Sequence, residues 1–299
     1  MQPITQALVH EWLPLRPQTA HKGNFGRVLL VAGSRMMCGA GFLCAKSALM
    51  AGAGLVYWAL PKGIQPAFAA ALPESITFPL PENELGEIDE PAWELFPEIC
   101  AKYKPSLLVA GPGMGQSPLL PLLLQNISLP LLVDADALNA LTRMPGWHSA
   151  WPHERPAIFT PHGAEMARLL NSPVAADEPA RQAQVQKLAQ LTNGVCLLKG
   201  ARTLVCSGNE LLENTTGGPA LAKGGAGDVL SGVIAGLWAQ LGTQEGFSMH
   251  TALKAAVCGV YLHGLAGDLA SHDKSPYSVL AGDISHYVAR AFVHVLEGK

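Results

Sequence analysis

The sequence predicts an open α/β fold built on a mostly parallel sheet. Three observations carry that reading. Short runs of β-forming apolar residues recur along the 299 residues, and run after run ends in a Gly, Asp, His or Lys turn. Helical patterns rich in Ala and Leu separate many of these runs, which is the alternation of parallel βαβ units. Hydrophobic residues make up 49% of the chain and charged residues 14%, enough apolar material for one large core.

Taken in order, residues 1–22 hold Pro3, Pro14 and Pro17 and read as a leader helix or arm. Residues 27–32 form a strand that closes at Gly33-Ser34. Residues 39–52 are helical in pattern, and residues 54–60 form a second strand closed by Pro61. Such a βαβ unit crosses over right-handed. Residues 63–101 are acidic, lack Lys and Arg, and carry prolines from Pro66 to Pro97. They read as a solvated connection with short elements. Strands are then expected at 106–110, 131–133, 157–159 and 195–198. Helices are expected at 118–125, 137–143, 164–170 and 178–191. Residues 203–205 and 210–212 read as an antiparallel pair. Three helices follow, at 229–240, 251–270 and 284–296. No repeat or low-complexity segment interrupts this order, and 1–299 reads as a single domain.

Composition excludes several function classes. The net charge is −3, and no run of Lys or Arg marks a nucleic-acid or anionic-membrane surface. The six cysteines form no C-x-x-C pair and read as buried free thiols in a reducing compartment. No signal-peptide pattern opens the chain. The longest apolar stretch, residues 47–60, is too short to span a bilayer. These features read as a soluble, cytoplasmic protein.

In an open α/β sheet, ligands bind beyond the carboxyl ends of the strands. The polar residues gather there. Residues 214–234 form a glycine-dense loop that runs into an apolar helix. Gly217, Gly218, Gly224, Gly225 and Gly227 let the backbone approach a ligand closely, and a helix start suits phosphate. Asp228 stands at that helix mouth, as an N-cap or as a base acting on a bound substrate. Gly111-Pro112-Gly113-Met114-Gly115 is a tight turn or a ligand turn, and it lacks G-x-G-x-x-G spacing. Asp134 and Asp136 could hold Mg²⁺ through water or cap the next helix, with capping by Asp136 favoured. Asn139 could face the same cleft. His162 follows a strand end, with Thr160 as a candidate cap and Glu165 as part of a capping box; it is either structural or a substrate contact. Lys199-Gly200-Ala201-Arg202-Thr203 sets two cations and a hydroxyl between strands. It reads as a solvent-facing hairpin entry or, better, as a phosphate contact. P-loop, H-E-x-x-H and G-x-S-x-G patterns are absent.

These motifs, in this order, resemble the ADP/ATP-dependent NAD(P)H-hydrate dehydratases. The resemblance rests on Lys22-Gly23-Asn24-Phe25-Gly26-Arg27 with Val31-Ala32-Gly33-Ser34, on Ala51-Gly52-Ala53-Gly54-Leu55-Val56, and on Pro73-Glu74-Ser75. It continues through Gly111–Gly115, Asp134-Ala135-Asp136-Ala137-Leu138-Asn139, Thr160-Pro161-His162-Gly163-Ala164-Glu165-Met166, Lys199-Gly200 and Gly224-Gly225-Ala226-Gly227-Asp228-Val229-Leu230. It runs from about residue 20 to the end.

The resemblance implies a ribokinase-like three-layer α/β/α sandwich. It implies ADP- or ATP-dependent return of S-epimer NADH or NADPH hydrate to NAD(P)H, with Mg²⁺ as cofactor; ADP is favoured as donor. Ala40, Gly113, His162 and Asp228 match the family's substrate contacts. Lys199, Gly200, Ala201, Arg202, Thr203 and Gly227 match its nucleotide contacts. Asp228 would be the catalytic base, and the N–H groups of Gly224, Gly225, Ala226 and Gly227 would form the anion hole. The resemblance also implies a homotetramer and a chain without the epimerase domain to which many bacterial members are fused.

Two positions depart from the family pattern. Ala226 stands where Thr is usual, which removes a hydroxyl beside the phosphates. Gly218 stands where Asn is usual, which should loosen the loop near the nucleotide. The competing readings are a small-molecule kinase of the same fold, acting on a hydroxymethylpyrimidine or hydroxyethylthiazole, and a non-catalytic adenine-nucleotide sensor.

Overall fold

The computed structural model describes residues 1–298. Ten strands form one sheet: β1 (Gln2–Pro3), β2 (Arg27–Val31), β3 (Leu55–Pro61), β4 (Ile76–Leu80), β5 (Leu107–Ala110), β6 (Leu131–Val133), β7 (Ala157–Phe159), β8 (Val195–Leu198), β9 (Leu204–Ser207) and β10 (Glu210–Glu213). Their spatial order is β1-β10-β9-β8-β7-β6-β5-β2-β3-β4. Pairing is parallel except at β8–β9 and β9–β10.

Twelve helices cover the two faces. They are α1 (Gln6–Trp12), α2 (Cys38–Met50), α3 (Gln65–Ala71), α4 (Phe96–Tyr103), α5 (Leu119–Asn126), α6 (Asp136–Arg143), α7 (Trp147–Ala150), α8 (Gly163–Leu170), α9 (Glu178–Thr192), α10 (Ala226–Glu245), α11 (Met249–Lys274) and α12 (Ala281–Glu297). The pleat sends alternate residues to opposite faces. Leu30, Trp58, Val109 and Leu197 pack with α2, α10, α11 and α12. Leu29, Ala59, Leu108 and Leu198 pack with α4 to α9. Both faces of the central strands are therefore buried, and these strands read as unbroken apolar runs.

The sequence reading placed these elements well, with a few shifts. The first 22 residues are tied down: β1 pairs with β10, and Ile4 and Val9 are fully buried. The connection at 63–101 contains β4, which runs parallel to β3. Pro79 lies within β4, and an edge strand tolerates a residue that cannot donate to the ladder. Pro61 is the last residue of β3 and does not stand outside it. Helix α10 starts at Ala226, ahead of the expected 229.

Strand order fixes where a ligand can enter. From β2 the chain steps outward to β3 and β4, then returns to the other side of β2 with β5. That reversal is the switch point where open α/β sheets leave a crevice. The Gly33 N–H donates to Pro112 O across it at 2.8 Å.

Candidate functional site

Four strand ends and one helix start meet at this edge. Asp134, beyond β6, is buried and holds them together. Its Oδ1 accepts from Lys199 Nζ at 2.8 Å and from Thr160 Oγ1 at 2.7 Å, and its Oδ2 accepts from Ser231 Oγ at 2.7 Å. Burial opposes its charge, but the positive charge of Lys199 and the hydrogen bonds from Lys199, Thr160 and Ser231 outweigh burial and keep Asp134 below the usual carboxylate range. Burial likewise opposes the charge on Lys199. Asp134 and Glu165 outweigh it and hold the ammonium above its ordinary value.

Asp228 sits on the first turn of α10 and accepts no hydrogen bond from the described residues. Burial raises its pKa to about 7, the negative Asp134 adds to that rise, and Lys199 opposes it. The result is a carboxylate poised near neutrality, the range in which a general base works best. Asp228 is not the cap of its helix. Gly225 is the N-cap residue, with φ +89°, and no side chain caps there.

Beside Asp228 the Gly-rich turn opens. A Cβ on Gly227 would stand 3.4 Å from Lys199 Nζ, so the ammonium lies against that backbone. Gly224 and Gly225 donate to no described residue, whereas the Ala226 N–H already donates to Lys223 O at 3.3 Å. The N–H groups of a first helical turn lack intrahelical partners and carry positive partial charge. A cavity of about 460 Å³ extends from here, lined by residues 199–203, by 216–219 and by Ala226, Gly227 and His263.

The switch point lies between β2 and β5. Gly113, at φ +64°, is in contact with α2: a Cβ there would lie 2.6 Å from Met37 O and 2.7 Å from the Ala40 Cβ. Glycine is needed for both reasons. Ala40 and Gly113 thus form one wall.

His162 caps α8. Its Nδ1 accepts from the Ala164 and Glu165 N–H groups, while Glu165 Oε2 accepts from the His162 N–H. His162 therefore supplies the cap expected of Thr160, and the Thr160 hydroxyl goes to Asp134 instead. Burial and the nearby cations Lys199 and Arg168 lower its pKa, which favours a neutral ring with the proton on Nε2.

A family model for NAD(P)H-hydrate dehydratases matches residues 28–290, nearly the whole of this architecture. The chain belongs to the NAD(P)H-hydrate dehydratase family. It is 40% identical over 294 residues to a bifunctional NAD(P)H-hydrate repair enzyme of Moorella thermoacetica, covering 95% of this chain and 52% of that one. The chain thus spans about half the length of the bifunctional relatives it matches. It is 32% identical over 267 residues to an ADP-dependent (S)-NAD(P)H-hydrate dehydratase of Cenarchaeum symbiosum, covering 88% of this chain and 87% of that one. An ADP/ATP-dependent NAD(P)H-hydrate dehydratase from Bacillus subtilis, co-crystallised with ATP and Mg²⁺, superposes with a TM-score of 0.81 at 27% identity, covering 98% of each chain. A hydroxyethylthiazole kinase from Pyrococcus horikoshii shares the ribokinase-like fold at a TM-score of 0.55 and 14% identity.

The structure brings together most of the residues that the dehydratase resemblance singled out. Asp228, Lys199, Gly227 and the Gly224–Ala226 turn are neighbours, residues 199–203 line a cavity with Ala226 and Gly227, and Ala40 and Gly113 touch each other. One reading changes: Asp136 does not cap α6, where the N-cap residue is Ala135, and Asp136 Oδ2 accepts from the Gly115 N–H at 2.7 Å. Asn139 lies between Asp136 and Arg168: its Nδ2 donates to Asp136 Oδ1 at 3.5 Å, and Arg168 Nη2 donates to its Oδ1 at 2.9 Å. The loop before Gly218 is fastened to α11. Asn214 donates to Val260 O, Thr216 to Tyr261 O, and the Gly217 N–H to Asp268 Oδ2.

Two residues escaped sequence reasoning. Ser231 stands three residues after Asp228 and so shares its helix face, which was the available signal. His263 lies inside a long apolar helix, with no local pattern to mark it.

Proposed function

We propose that this chain dehydrates the S epimer of NADH or NADPH hydrate to NAD(P)H, using ADP or ATP as co-substrate. The observation that carries it is Asp228: a carboxylate with no hydrogen-bond donor and a pKa of about 7, at a helix start, with an ammonium and unpaired backbone N–H groups beside it. Such an arrangement suits phosphoryl transfer, in which positioned donors supply most of the catalysis.

In this reading the nucleotide lies in the 460 Å³ cavity, with Lys199 and residues 200–203 along its phosphates, and the nicotinamide end of the hydrate enters past Ala40, Gly113 and His162. Asp228 takes the proton of the C6 hydroxyl as its oxygen attacks the terminal phosphorus, and the bond to the leaving AMP (from ADP) breaks. The Gly224, Gly225 and Gly227 N–H groups receive the equatorial oxygens. The lone pair on the ring nitrogen then expels phosphate from C6, and loss of the C5 proton restores the C5–C6 double bond.

Among the described residues no three His, Cys, Asp or Glu side chains form a metal cluster. Mg²⁺ is commonly held by substrate phosphates, water and one or two carboxylates, and Asp136 fits that minor share. It would neutralise phosphate charge.

The test is direct. Purified protein with hydrated NADPH, Mg²⁺ and ADP or ATP should recover the absorbance of the reduced nicotinamide and release phosphate. No recovery with either nucleotide rejects this reading. The kinase reading predicts instead a stable phosphorylated product from a vitamin precursor. The Pyrococcus likeness supports the shared fold alone.

A further inference from the structure

One buried polar atom near the site has no partner. His263 lies on α11, in the wall of the 460 Å³ cavity, and is 7% exposed. Its Nε2 makes no hydrogen bond within the protein. Buried polar side-chain atoms nearly always have a partner, and leaving one unmet costs about 1–3 kcal/mol. The Ala226 backbone faces the ring and opposes the effect of burial on its pKa, but no hydrogen bond reaches Nε2 of His263. Its helix neighbours Val260 and Tyr261 give their carbonyls to Asn214 and Thr216, and Asp268 takes the Gly217 N–H. These contacts fasten the loop over the cavity, while His263 is left facing the interior.

We propose that His263 is a nucleotide-contacting residue whose Nε2 hydrogen-bonds the adenine nucleotide at the end of the cavity nearest Ala226. The proposal rests on the nucleotide-dependent reading above. Burial, which lowers the His263 pKa to about 4, keeps the ring neutral. A neutral imidazole gives Nε2 one directed donor or acceptor, set by the tautomer. Such a contact discriminates by geometry and not by net charge. A ligand that fills the cavity without reaching Nε2 leaves the atom unmet, so the residue selects for the nucleotide that reaches it.

Calorimetric titration of the full chain with ADP and with ATP, each with Mg²⁺, tests this. His263→Leu should weaken binding about tenfold, the worth of one hydrogen bond to a buried group. His263→Gln, which returns a polar atom to nearly the same place, should recover most of the loss. The KM for the hydrate at saturating nucleotide should move less than about twofold. Unchanged nucleotide affinity in a folded His263→Leu protein overturns the proposal. Equal losses in both variants with a lowered melting temperature overturn it too, because the ring then serves packing. Nucleotide binding without turnover in the wild type defeats the dehydratase reading and leaves this test readable.

Discussion

Lys199 Nζ and Ser231 Oγ approach opposite oxygens of Asp134, at 2.8 and 2.7 Å. One buried carboxylate thus ties β8 to the helix that carries Asp228, and its charge helps to raise the Asp228 pKa. Asp134→Asn should act twice. It leaves a largely buried ammonium without its closest partner, which costs about 3 kcal/mol or more in urea unfolding. It also removes a repelling charge, so the pH profile of any surviving activity should move to lower pH. An unmoved profile would separate Asp134 from the chemistry.

The profile of the wild type follows from the same group. Asp228 is a base only when ionised, so kcat/KM for the hydrate should rise with unit slope and level off above a pKa near 7. A limb near 4 would mean that the base is an unperturbed carboxylate.

Asp228→Asn should lower turnover at least about 100-fold, as expected for loss of a positioned base, while ADP and ATP still bind. The stability change has the opposite sign. The folded-state pKa lies above the unfolded one, so the stabilisation from this group is full below pH 4 and is lost as pH rises through 7. The variant escapes that loss. At pH 8 its melting temperature should exceed the wild type's by about 3 °C or more, and a lower value would show that burial of Asp228 costs nothing.

Gly232 and Gly236 lie one turn apart on α10, where it crosses α2. A Cβ at these positions would stand 2.2 Å from Cys44 O and 2.4 Å from Ala48 O. Gly232→Ala or Gly236→Ala should cost about 1–3 kcal/mol through overpacking. Each should also lower kcat, because the two helices carry Asp228 and Ala40. Urea midpoints and initial rates check both effects. An unchanged midpoint would mean that the helices separate at no cost.

Local signals made most of this legible. Apolar runs ending in polar turns gave eight of the ten strands near their true places, with β1 read only as part of a leader helix or arm, and the rule for strand ends gathered the site. Sequence could not show which polar residues would consume one another. Asp134, Asp136 and Lys199 each looked ready for a ligand, yet Asp134 takes Lys199, Thr160 and Ser231, and Asp136 takes the Gly115 N–H. Those partners are 65, 26, 97 and 21 residues away, beyond any local pattern. Strand β4 was missed because Pro79 argues against a strand until the edge position is known.

His162 has two roles that two substitutions can separate. Its Nδ1 caps α8, while the half-exposed ring stands near Lys199 and Asp134, where we propose that the hydrate enters. His162→Ala removes cap and ring, and should lose about 1 kcal/mol of stability and raise the hydrate KM. His162→Asn keeps a good capping oxygen, so stability should return while KM stays high. If Asn restores both, the ring makes no substrate contact and His162 serves α8 alone. If neither variant changes KM, the hydrate enters elsewhere. Nucleotide affinity should hold in both, since the cavity that would bind it is lined from β8 and α10 and not from α8.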